Sequence, residues 1–137
     1  MLTQASCVAV NGRGLLIIGP TGSGKSSLAL ALIDRGAVLV GDDGVDLELA
    51  DKRVLASPAP TIRGLLEVRN VGLLHYPVAE RVPLALAVQL DPAAERLPEG
   101  PDELDILGLR IHLIRLWPDS PVLALRALAA LSQFGLD

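Results

Sequence analysis

Aromatic residues are almost missing from this chain: one Phe, one Trp and one Tyr in 137 positions. Grooves that bind nucleic acid need stacking platforms and a basic surface. Here 16 acidic side chains outnumber 12 basic ones, a formal charge of −4. That composition excludes a nucleic-acid module, and it leaves aliphatic side chains and main chain to contact any base, with weak base selectivity. The single cysteine, Cys7, excludes an internal disulfide, and no Cys/His set has zinc-ligand spacing. With Ala5, Val8 and Val10 around it, Cys7 is expected to be a buried structural thiol. No apolar run reaches the ~18 residues of a membrane span, and no basic stretch with a secretory apolar segment follows Met1. The expectation is a cytoplasmic protein with no membrane partner. Half of the residues are apolar, enough for one domain over 1–137 that buries about two-thirds of its unfolded surface.

Glycine, in contrast, is concentrated where it carries chemistry. Gly19, Pro20, Thr21, Gly22, Ser23, Gly24, Lys25 and Ser26 form a complete G-x-x-x-x-G-K-S phosphate loop, continued by Ser27. An apolar run (Leu15, Leu16, Ile17, Ile18) precedes it and a helix-like segment over 27–35 follows. A strand feeding such a loop into a helix aims main-chain N–H groups and the helix N-terminus at one anion. Gly22 and Gly24 can take φ values closed to other residues, which lets a phosphate approach the main chain. Lys25 would reach the β- and γ-phosphates, and the Ser26 hydroxyl would ligate Mg²⁺. The motif in this context predicts binding of a nucleoside phosphate.

Around the loop the pattern is that of an α/β chain. Residues 6–10 and 14–18 read as strands around a tight Asn11-Gly12-Arg13-Gly14 turn. The helix after the loop ends at Gly36. A buried strand over 37–40 runs into Gly41-Asp42-Asp43. Residues 46–50 and 53–56 form a hairpin turning at Asp51-Lys52. Strands follow at 65–70, 73–76 and 84–90, with a ribbon within 104–116. The Pro- and Gly-rich loop 91–101 cannot be regular. A last helix is expected with Ser120 as N-cap and Pro121 at its first position, ending near Phe134. Being apolar nearly all round, it should be buried or lie at a subunit interface, with an interface favoured on so small a chain.

A nucleotide site needs a second anchor. A β-α-β crossover would set the Asp42-Asp43 strand end beside the loop, where an acid can hold Mg²⁺ or its water. Adjacent strand residues point to opposite faces, so the two carboxylates need not share one role. Further on, Glu67 and Arg69 share one face of a strand. They could serve metal and phosphate, or pair with each other on the surface.

The order of phosphate loop, Asp42-Asp43 and Leu66-Glu67-Val68-Arg69-Asn70-Val71-Gly72 resembles the catalytic domain of HPr kinase/phosphorylase. It is most similar to the short single-domain form seen in alphaproteobacteria. The resemblance runs from about Ala5 to Arg126. The loop is common to many families, whereas Leu-Glu-Val-Arg downstream of Asp-Asp is specific. It implies an α/β phosphate-loop kinase core related to phosphoenolpyruvate carboxykinase, with a mixed β-sheet, a P-loop helix and a C-terminal helix. It also implies ATP and Mg²⁺ as cofactors, an HPr-like phosphocarrier as partner, and a homo-oligomer, often a hexamer. Asp43 falls on the family's proton acceptor for a serine hydroxyl, which becomes proton donor in the reverse direction. Glu67 falls on a Mg²⁺ ligand, with Ser26 and Asp42 as further metal candidates. Arg96 falls on an essential arginine able to offset phosphoryl charge. Lys25, Asp43 and Arg96 are thus the expected catalytic set. Arg126 matches a segment tied to the phosphorylase direction.

Two departures stand out. Gln4 occupies the family's histidine position, and an amide can hydrogen-bond a phosphate but does not titrate. Asn70 stands where the family has glycine. The two histidines, His75 and His112, fall in strand-like segments as half-exposed residues rather than substitutes. Beside the serine kinase, the sequence therefore leaves open a nucleotide-responsive regulator with little or no catalysis. A small-molecule kinase on the same loop ranks third, because it leaves Leu-Glu-Val-Arg without a role.

Overall fold

A computed structural model describes residues 1–137. Eleven strands and two helices follow in the order β1 (Leu2–Thr3), β2 (Ser6–Val10), β3 (Arg13–Ile18), α1 (Lys25–Asp34), β4 (Val38–Gly41), β5 (Val45–Ala50), β6 (Arg53–Pro58), a 3-10 turn (Pro60–Ile62), β7 (Leu65–Val68), β8 (Gly72–His75), β9 (Val82–Leu90), β10 (Asp102–Ile106), β11 (Leu109–Leu116) and α2 (Leu123–Phe134).

Nine strands form one mixed sheet, in which β1-β5-β6-β9-β3-β2-β4 is the main path and β11, with β10 beyond it, branches from β9 opposite β3, past the short stretch that pairs with β6. The hub is β9, parallel to both β3 and β11. Buried strands with neighbours on both edges read as continuous apolar runs, and Leu84, Ala85, Leu86, Ala87 and Val88 are such a run, all buried. The hairpin turns are set locally. Asn11 (φ 51°) and Gly12 (φ 79°) close β2–β3, and Asp51 (φ 50°) and Lys52 (φ 61°) close β5–β6, both with paired positive φ angles that match strand twist. The small β7–β8 hairpin is a sheet of its own.

Side chains of alternate strand residues divide into two cores. Leu15, Ile17, Leu86 and Val88 pack with Leu28 and Leu32 of α1, Leu66 of β7, and Leu123, Ala127 and Leu131 of α2. Cys7, Leu16 and Ala87 point the other way, against Val45, Leu47, Val54, Ile111 and Leu113. No helix is long and apolar enough to cross a membrane.

The elements expected from the sequence are present, with four differences. The last helix starts at Leu123 rather than Pro121. Ser120 instead closes a turn before it, its Oγ accepting the Val122 N–H at 3.2 Å. The apolar character of α2 is accounted for by burial of Leu123, Ala124, Ala127, Ala130 and Leu131 against the sheet, so it does not require the subunit interface favoured above. The phosphate-loop helix begins two residues earlier than expected, at Lys25. Finally, β7 ends at Val68, which puts Arg69 and Asn70 in a turn; Asn70 has φ 68°, a left-handed position that Asn tolerates best after Gly, and so fits where the family carries glycine.

Candidate active site

The phosphate loop leaves the C-terminal end of β3 and winds directly into α1, with Gly22 at φ 81° and Gly24, the N-cap, at φ 105°. Close approach governs Gly19 as well: a Cβ there would lie 2.7 Å from Ser23 Oγ. Lys25 folds over the loop, its Nζ donating to the Gly19 carbonyl at 2.8 Å and to that of Pro20 at 3.3 Å.

Asp42 and Asp43 close the end of β4. That strand is not the neighbour of β3, because antiparallel β2 lies between them, yet its end still reaches the loop. Asp42 is buried and takes three hydrogen bonds. Its Oδ1 accepts the hydroxyls of Ser26 at 2.7 Å and Ser6 at 2.9 Å, and its Oδ2 accepts the Glu67 N–H at 3.1 Å. With the Ser26 proton committed to Asp42, the oxygen lone pairs of Ser26 are free for a cation. Asp43 does the opposite. It has φ 57° and is exposed; the two carboxylates do part, but through the turn that follows β4 rather than through strand alternation. The turn admits no larger residue at its base, since a Cβ on Gly41 would overlap the Gly44 carbonyl oxygen.

Asp43, Glu67 and Arg69 meet Thr21, Gly22, Gly24, Lys25, Ser26 and Ser27 around one pocket of about 290 Å³ without a single apolar lining residue. Glu67 and Arg69 thus both turn into this pocket. A second pocket of about 310 Å³ shares Gly22, Gly24, Ser27 and Arg69 with it and extends past Arg35 to Pro118, Asp119, Ser120 and Pro121.

Other expected site residues lie elsewhere. Arg96 and Arg126 share a pocket of about 200 Å³ with Glu95, Leu116 and Trp117, apart from the phosphate-loop pocket. There the Arg126 guanidinium lies 5.6 Å from the Trp117 ring centroid, and Trp117 Nε1 donates to the Ala94 carbonyl at 2.7 Å. The structure therefore brings Arg96 and Arg126 together but not onto Lys25. Gln4 is exposed between β1 and β2, two residues before Ser6. His75 is exposed; His112 is half-buried, with Nδ1 2.9 Å from the Phe134 carbonyl oxygen. Burial pushes the Cys7 thiol up to about 12.

Sequence reasoning missed Ser6, which is buried and joins Asp42 to the Asp43 main chain. The available signal was a lone hydroxyl opening an apolar strand, Ser6-Cys7-Val8-Ala9-Val10.

Comparison with known proteins places this geometry. The family model described as HPr Serine kinase C-terminal domain matches residues 1–129. A relative from Cupriavidus metallidurans named HPr kinase/phosphorylase is 42% identical over 117 residues, covering 77% of this chain and 36% of the relative. One of the same name from Streptococcus gordonii is 37% identical over 120 residues, covering 78% of this chain and 39% of the relative. The chain thus spans little more than a third of the length of these relatives. Among solved structures, the Hpr(Ser) kinase/phosphatase from Coxiella burnetii superposes with a TM-score of 0.79 at 27% identity, covering 94% of this chain and 86% of that one. With the phosphate loop, the Asp42-Asp43 turn and the Glu67–Arg69 strand end all inside the matched span, the chain belongs to the HPr serine kinase C-terminal domain family.

Proposed function

We propose that residues 1–137 act as one ATP- and Mg²⁺-dependent kinase domain that phosphorylates a serine of a small HPr-like phosphocarrier. The observation that carries this reading is the wholly polar pocket in which Asp43, Glu67 and Arg69 face the phosphate loop.

The donors fit the cofactors. The Ser26 hydroxyl, oriented by Asp42, and the Glu67 carboxylate are hard oxygen ligands of the kind Mg²⁺ takes. No three His, Cys, Asp or Glu side chains converge into a metal centre of their own, and Mg²⁺ is characteristically held by one or two protein oxygens together with substrate phosphates. When bound, the ion would neutralise charge on the phosphate oxygens. Main-chain N–H groups of the loop hold the phosphates, and Lys25 exchanges the Gly19 and Pro20 carbonyls for phosphate oxygens. Asp43, exposed at the pocket wall, accepts the proton of the acceptor serine. Arg69 adds positive charge at the boundary with the adjoining pocket, which is sized for the nucleoside. Arg96, in its separate pocket, acts on the protein acceptor. The same reading includes a cytoplasmic homo-oligomer, a hexamer by family resemblance.

Labelled ATP incubated with the protein and HPr tests this reading. Wild type should put label on a serine of HPr, and Asp43→Asn should lose at least 100-fold in rate. Serine label that Asp43→Asn leaves undiminished, or none from wild type, would remove it.

A second reading, a nucleotide-dependent regulator with little turnover, is favoured by Gln4, which is exposed where the family carries a histidine. Tight ATP binding without transfer to HPr, reversed by Gln4→His, is its signature.

A further inference from the structure

The phosphate loop and the Asp42-Asp43 turn end two strands, β3 and β4, that do not touch each other. β2 lies between them. Its first residue, Ser6, pairs with Ile17 of β3, and the next, Cys7, pairs with Gly41 of β4. Ser6 is therefore at the one point of the sheet from which both halves of the site can be reached.

Its hydroxyl reaches both. Fully buried, Ser6 Oγ donates to Asp42 Oδ1 at 2.9 Å and accepts the Asp43 N–H at 3.3 Å. A hydroxyl carries one proton and two lone pairs, so one group can serve the carboxylate that orients Ser26 and the main chain that carries Asp43. The second link matters because Asp43 is held at φ 57°, a left-handed position that Asp adopts more readily than most residues but that local hydrogen bonds still have to fix. The first matters because Asp42 Oδ1 is shared with Ser26 at 2.7 Å. Without the Ser6 donor only the Glu67 N–H and the Ser26 hydroxyl itself hold the carboxylate, which loosens the orientation it imposes on Ser26.

We propose that Ser6 is a positioning residue that couples the cation-ligating hydroxyl of Ser26 to the acid–base carboxylate of Asp43 through one buried oxygen. This rests on the roles of Ser26 and Asp43 in the reading above. Ser6 itself touches neither cofactor nor substrate.

Hydrogen exchange of the nucleotide-free protein gives the first test. In Ser6→Ala the Asp43 amide should exchange at least tenfold faster, while amides of the central strand β9 stay as in wild type. Calorimetry with a non-hydrolysable ATP analogue gives the second. Affinity in EDTA should remain within twofold of wild type, but the gain in affinity on adding Mg²⁺ should fall about tenfold. Ser6→Thr, which keeps the hydroxyl, should restore both. Should Ser6→Ala not fold, Ser6→Cys, similar in size but a weak donor and acceptor, carries the same two measurements. Wild-type exchange at Asp43, an undiminished Mg²⁺ gain in the variant, or no Mg²⁺ gain in wild type would overturn the proposal. A wild type that gains affinity with Mg²⁺ but never phosphorylates HPr removes the kinase reading alone and leaves the role of Ser6 standing.

Discussion

Asp42 Oδ1 lies 2.7 Å from the Ser26 hydroxyl, although the two residues belong to strand end and helix start separated by an intervening strand. The carboxylate is buried and its other donors are Ser6 and the Glu67 N–H. Replacing it takes a partner from three donors, of which the Ser6 hydroxyl is fully buried while those of Ser26 and Glu67 border the pocket. Each buried unsatisfied polar group costs about 1–3 kcal/mol. Asp42→Ala should therefore lower stability by about 1–3 kcal/mol, a drop in Tm of several degrees for a domain of this size. Asp42→Asn keeps one acceptor oxygen and should lose less. Thermal melts of both variants check this, and equal Tm values for Asp42→Ala and wild type would contradict the role given to Asp42.

The reverse situation holds at Ser23. Its Oγ is the one buried side-chain oxygen or nitrogen with no hydrogen-bond partner, and it occupies the space where a Cβ on Gly19 would stand. Ser23→Ala removes an unpaired group and should leave the protein as stable as wild type or up to about 1 kcal/mol more stable. Gly19→Ala should weaken nucleotide binding at least tenfold by forcing the loop open. The double variant Gly19→Ala/Ser23→Ala should recover part of that loss, since the overlapping oxygen is gone while the backbone conformation of Gly19 stays unsuited to a side chain. Isothermal titration across the three proteins measures the coupling, and purely additive losses would speak against steric conflict.

Cys7 sets an alkaline limit. Its thiol is raised from 9.0 to about 12 by burial. The unfolded chain releases this proton near 9 and the folded chain holds it, so stability is complete below pH 9 and falls as pH rises toward 12. The slope for one such group is about 1.4 kcal/mol per pH unit. Chemical denaturation of wild type and Cys7→Ala between pH 8 and about pH 11 should show the decline from this group in wild type only. Native Cys7 should also resist thiol reagents until the protein unfolds.

Much of this architecture is readable from the chain, because the signals are local. Asn11-Gly12 specifies its hairpin through backbone preference, Asp51 favours the left-handed start of the second turn while Lys52 follows the strand pairing, and the glycine spacing of the phosphate loop fixes its own geometry. Strand alternation anticipates that Asp42 and Asp43 part company, but both lie in the turn after β4 and the left-handed backbone of Asp43 does the separating. What the chain hides is which strands become neighbours. That β2 inserts between β3 and β4, and so makes Ser6 the link between the two acids, depends on pairings that no single segment encodes. The start of α2 is hidden for a different reason. Ser120 and Pro121 have the chemistry of a helix start, but the Ser120 hydroxyl is used within a tighter turn and the helix follows at Leu123.

Arg96 offers the sharpest separation of binding from transfer. It lines the pocket of Trp117 and Arg126, not that of Lys25 and Ser26. If its charge acts only in transfer to a protein acceptor, Arg96→Ala should leave ATP affinity within about twofold of wild type while HPr phosphorylation falls at least tenfold. The chain supplies its own reporter, because Trp117 is its single tryptophan and is bonded to the same loop through the Ala94 carbonyl. Arg126→Ala removes the guanidinium over that ring, an interaction worth about 0.5–1 kcal/mol at an exposed site. It should change tryptophan emission without altering ATP affinity, whereas addition of ATP to wild type should leave emission nearly constant until HPr is present. Emission that responds fully to ATP alone would mean the two pockets are one working site, and that Arg96 belongs with the nucleotide rather than with the acceptor.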